Sequence, residues 1–77
     1  MYEVTYKIEI LKECVAGLMA DYFQYKKTHK LTDEQQHNYD RLKEIYNSII
    51  YVNDIVTLDK IEKEIMEYKG CIDELQL

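Results

Sequence analysis

The chain has 77 residues, with 15 acids against 10 bases for a net charge of −5, no proline, two glycines and two cysteines. That length makes one domain, 1–77, whose core contributes only ~3–5 kcal/mol of net stability unless a disulfide, a metal or a partner chain adds to it. Cys14 and Cys71 stand far apart and outside any CxxC pair, which argues against a disulfide framework and more strongly against a structural zinc motif.

Scarcity of turn residues favours long helices with few connections. No apolar run reaches the ~18 residues of a membrane span, and Met1-Tyr2-Glu3 does not open a signal peptide, so the chain reads as cytoplasmic with no membrane partner. Residues 1–32 carry five lysines against four acids, whereas residues 33–77 carry eleven acids against five bases. A phosphate-binding surface needs a basic stripe, so no nucleic-acid partner is expected. Codon usage inferred from abundant Ile, Lys, Tyr and Asn points to an AT-rich genome, a low-GC bacterium or one of its phages.

The first element is the clearest. Val4, Ile8, Leu11, Val15, Leu18, Tyr22 and Tyr25 keep a 4-3 spacing that lays them on one stripe of a helix. Tyr2, Val4, Tyr6, Ile8 and Ile10 also alternate with polar residues, so a strand over 2–8 is the rival reading of the N-terminus. The helix is favoured because no second strand is evident, and a lone strand cannot satisfy its own backbone. Lys26, Lys27 and Lys30 suit the negative end of its dipole.

A second helix is announced by Thr32, an N-cap, with Gln35 completing a capping box and Asp33 and Glu34 on the dipole's positive end. The turn before it is short, about 28–31, so the two helices are antiparallel neighbours. The second helix presents a wide face, Tyr39, Leu42, Ile45, Tyr46, Ile49 and Val52. The β-branched stretch Val52–Thr57 then breaks it. Thr57 is expected to cap a third helix with the seam Leu58, Ile61, Ile65, Tyr68, Ile72 and Leu75, running through Gly70 at a cost of ~1 kcal/mol. Two rivals remain: a break at Gly70, and helices two and three fused into one coiled-coil rod with Asn53 as a buried register residue.

The fold expected is all-α, an antiparallel three-helix up-down-up bundle with helices over 4–28, 33–53 and 57–75. By rise per residue the first spans ~37 Å and the others ~30 Å, so its end could stand beyond its neighbours.

For chemistry the sequence offers little. His29 and His37 flank the first turn near Asp33 and Glu34, but zinc wants three or four convergent ligands. The acids Glu62, Glu64, Glu67, Asp73 and Glu74 read as a solvated helix face, and Cys14 and Cys71 flank the seams as small hydrophobes. With no phosphate loop, no nucleophile–base pair and no cofactor fingerprint, the expectation is a non-enzyme that takes no metal or cofactor.

One feature stands above this background. Tyr2, Tyr6, Glu9, Glu13, Ala16, Ala20 and Phe23 follow 4-3 spacing opposite the seam of the first helix. Aromatics at both ends with small residues between them suit the approach of another helix. The partner-binding candidates are therefore Tyr2, Tyr6, Ala16, Ala20 and Phe23. The functional expectation is a small acidic protein-interaction module, a stoichiometric inhibitor or adaptor of a larger protein, with phage or mobile-element origin. The alternative is a homodimeric or higher assembly protein without a separate partner.

Overall fold

The computed structural model describes residues 2–75 and the side chains of residues 3–75. Three helices follow in order, α1 (Tyr2–Thr28), α2 (Asp33–Ser48) and α3 (Ile55–Leu75), with a 3-10 turn over Ile49–Tyr51 between the last two. They form the expected up-down-up bundle, 42 × 20 × 17 Å along its principal axes. No strand occurs among the described residues.

Its core is drawn from the three seams. Leu11, Val15, Leu18 and Tyr22 of α1 meet Leu42, Ile45 and Ile49 from the second seam and Leu58, Ile65 and Ile72 of α3, all of them buried. Val4, Ile8, Ile61, Tyr68 and Leu75 pack around them, half covered. α1 is the central member: α2 and α3 each lie along it and touch one another least.

The capping box at the start of α2 is present in both directions. Gln35 N–H donates to Thr32 Oγ1 at 3.1 Å, and Thr32 N–H donates to Gln35 Oε1 at 2.9 Å. α3 continues through Gly70 to Leu75 as its seam requires.

Three expectations are corrected. The N-terminal strand over 2–8 is helix, because Val4 and Ile8 find cover against the core while every interior backbone group is bonded within α1. The fused rod does not form. Ile49 stays on the core at 0% exposure, but the backbone tightens into the 3-10 turn there and becomes extended at Val52. Asn53 is accordingly exposed and lies outside any helix, so it sets no register. Finally, α3 starts at Ile55 and its cap is Asp54, whose carboxylate accepts from Thr57 N–H at 2.9 Å and from the Thr57 hydroxyl at 2.8 Å. Asp54 satisfies the third amide of the helix, the position a capping side chain reaches, so Thr57 is capped and does not itself cap.

Candidate partner-binding surface

Burying the α1 seam turns the opposite stripe outward. Tyr6 is 66% and Phe23 53% exposed, and Ala16, Gly17 and Ala20 lie open between them. Tyr2 begins the helix, and its side chain lies outside the described residues. The Lys27 ammonium sits 5.2 Å from the centre of the Phe23 ring, covering one face of it. The stripe is therefore continuous along α1 from Tyr6 to Phe23, interrupted only by the exposed carboxylates Glu9 and Glu13.

Beside the stripe runs a groove between α1 and α3. Glu13, Cys14, Gly17, Leu18 and Asp21 form one wall, Ile65, Met66 and Lys69 the other, around about 290 Å³. Met66 is 48% exposed on its rim. Nearer the start of α1, Lys7 reaches across to α3, to Asp59 at 2.7 Å and Glu62 at 3.0 Å. The hydrogen bonds that Lys7 donates to those two carboxylates, to Asp59 first, hold its pKa above the ordinary lysine value.

Other exposed apolar side chains gather at the connection before α3. Ile50, Tyr51 and Val56 are 59%, 83% and 62% exposed, and Ile50 shares a surface hollow with Thr5, Ile8, Glu9 and Lys12 of α1. Ile10 adds 42% exposure on the α1 side. Ile50, Tyr51 and Val56 escaped the sequence reading because each falls between seam positions, and a lone off-seam apolar residue carries no periodic signal, whereas Ile10 belongs to the uncovered start of α1 that the helix lengths already suggested.

The remaining candidates for chemistry are dispersed. The His29 ring stacks on Tyr25 with centroids 4.4 Å apart, and its Nδ1 lies 2.8 Å from the Thr28 hydroxyl. His37 is exposed on α2. No cluster of three or more metal-ligating side chains occurs among the described residues. Cys14 lines the α1–α3 groove, while Cys71 lines a separate hollow beside Tyr22 and Asn38, and both thiols are free. Of the suspected acidic face, Glu64 is committed to Arg41 and Tyr68, and Asp73 to Lys69.

What the surface offers is contact area of aromatic and small residues with carboxylates set among them. A family model described as bacterial epsilon antitoxin matches residues 1–75. The chain belongs to that family. Comparison with curated proteins and with solved structures returned no match. Membership in an antitoxin family gives the chain an inhibitor-type role exerted through a protein partner, the toxin. No described helix is long and apolar enough to cross a membrane.

Proposed function

We propose that the chain neutralises its cognate toxin by stoichiometric binding, with the outer stripe of α1 as the contact. Tyr6, Phe23 and the aromatic Tyr2 would bury large area, while Ala16 and Ala20 let the toxin backbone approach closely between them. The observation that carries this reading is the 66% and 53% exposure of Tyr6 and Phe23 on a helix whose other face is fully used by the core. A rigid helix is a good platform for such contacts, because little conformational freedom is lost on binding. The inhibitor acts by occupation and takes no part in bond making, so one chain silences one toxin molecule.

The test is calorimetric titration of purified cognate toxin with the wild-type chain and with Tyr6→Ser and Phe23→Ser variants. Each variant should keep its helicity and lose at least ~tenfold in affinity, as truncation of a buried interface aromatic does. Wild-type affinity in both would remove the stripe as the contact.

A further inference from the structure

The two glycines of the chain occupy positions that nothing in the fold requires. Both Gly17 and Gly70 lie in helix interiors with ordinary backbone, where a glycine weakens the helix. A Cβ at either would meet no atom within 4 Å, so neither is kept small by packing within the chain.

Of the two, only Gly17 lines the α1–α3 groove. α1 and α3 lie side by side, and Gly17 stands across the groove from Ile65, Met66 and Lys69 of α3. Gly70 follows Met66 by one turn on the exposed side of α3, outside the lining of the groove. The groove between the helices is thus open at the position where the α1 wall lacks a side chain. Its floor is apolar, Leu18 and Ile65, and its rim carries Glu13 and Asp21, which form no ion pair among the described residues. Lys69 on the opposite wall is drawn to Asp73 at 3.3 Å. At about 290 Å³ the space lies at the lower edge of the ~300–1,000 Å³ typical of small-molecule sites, the size for a single side chain.

We propose that this groove is a docking slot for the toxin. It receives one apolar side chain between Gly17 and Met66, with a neighbouring lysine or arginine of the toxin set against Glu13 and Asp21. The inference rests on the antitoxin reading above and adds a second point of contact, beside the outer stripe, with a defined chemistry. Charge selects the occupant. A second copy of this chain, itself at −5, adds net like charge, whereas a basic segment neutralises Glu13 and Asp21. The slot also continues the outer stripe, since Gly17 adjoins Ala16 and Glu13 belongs to both.

Three measurements on the full chain with purified cognate toxin test the slot. Gly17→Leu places a side chain in the groove without touching the core; its affinity should fall at least ~tenfold while its melting temperature stays at or above that of the wild type. Glu13→Lys with Asp21→Lys should weaken binding and flatten its dependence on salt. Cys14, which lines the slot, should react more slowly with a thiol reagent in the complex than in the free chain, with Cys71 as the internal reference. Wild-type affinity in Gly17→Leu overturns the slot, and if Tyr6→Ser still loses binding the antitoxin reading stands without it. Absence of binding by the wild-type chain removes that reading and the slot with it. A concentration-dependent dimer in which Cys14 is already protected assigns the groove to self-association and overturns the toxin as its occupant.

Discussion

The Arg41 guanidinium of α2 grips the Glu64 carboxylate of α3 at two points, Nε to Oε2 at 2.7 Å and Nη2 to Oε1 at 3.0 Å. The geometry is the parallel fork in which an Arg–carboxylate pair is strongest. Tyr68 donates its hydroxyl to the same carboxylate from one turn further along α3, and Arg41 reaches Glu44 at 2.9 Å through Nη1. Because α2 and α3 otherwise lean on α1 more than on each other, this half-buried cluster is the main polar tie between them. Glu64→Gln should destabilise the fold by ~1–2 kcal/mol, with one charge-assisted bond lost and Arg41 left half covered without its counter-charge. Arg41→Lys should cost nearly as much, since an ammonium cannot reproduce the fork. Urea unfolding of the two variants against wild type checks both.

The same carboxylate makes stability depend on acid. Hydrogen bonds from Arg41, outweighing partial burial, hold the Glu64 carboxyl below the ordinary value of 4.5. The folded chain therefore binds fewer protons there than the unfolded chain. Its contribution is complete above pH 4.5 and is lost as the pH falls through the lowered value. Asp54 acts in the same direction, its carboxyl held down first by the Thr57 backbone N–H and then by the Thr57 hydroxyl. The urea midpoint should be flat from about pH 7 to 5 and drop below about pH 4, and the drop should be smaller in Glu64→Gln.

Periodicity made the three helical faces legible, and all ten buried apolar residues lie on them, seven on the seams of α1 and α3 and Leu42, Ile45 and Ile49 on the wide face of the second helix. The capping box was legible too, because Thr32 and Gln35 act within three residues of each other. What periodicity could not give was the end of α2. Ile49 and Val52 keep the helical seam although the backbone has already left the α-helix, since a 3-10 turn can deliver Ile49 to the same place in the core. Cap assignment at α3 failed for a related reason: Asp54 and Thr57 are both capping residues three apart, and only the direction of the hydrogen bond separates them. At the surface, Tyr6, Phe23, Ala16 and Ala20 were legible as one stripe. The groove was not, because it depends on which face of α3 meets α1, a tertiary relation that neither helix encodes alone.

One polar pair is enclosed with the core. Asn38 is 7% exposed, and its Nδ2 donates to the Tyr22 hydroxyl at 3.4 Å, while burial pushes the Tyr22 phenol above its usual pKa. The bond is long, so its own worth is small, but each group is the other's partner inside a largely dry space. Tyr22→Phe should cost ~1 kcal/mol by leaving the amide unsatisfied. A double-mutant cycle with Asn38→Ala should return a coupling of ~0.5–1 kcal/mol, measured by urea unfolding.

Glycine at 17 and 70 lowers helix stability without any compensating contact inside the chain. Alanine at either site meets no neighbour within 4 Å and adopts the same backbone, so the change acts through helix propensity and the entropy of the unfolded chain. Gly17→Ala and Gly70→Ala should each stabilise the free protein by ~0.5–1 kcal/mol, raising the melting temperature by ~4–8 °C per kcal/mol in a domain of this size. Because the two sites sit on different helices without a shared packing partner, the effects should add in the double variant to within ~0.5 kcal/mol. Thermal melts followed by circular dichroism decide it. A loss of stability at either position would mean that the missing side chain serves the fold of the free chain, and the reason for its absence would then lie inside the bundle.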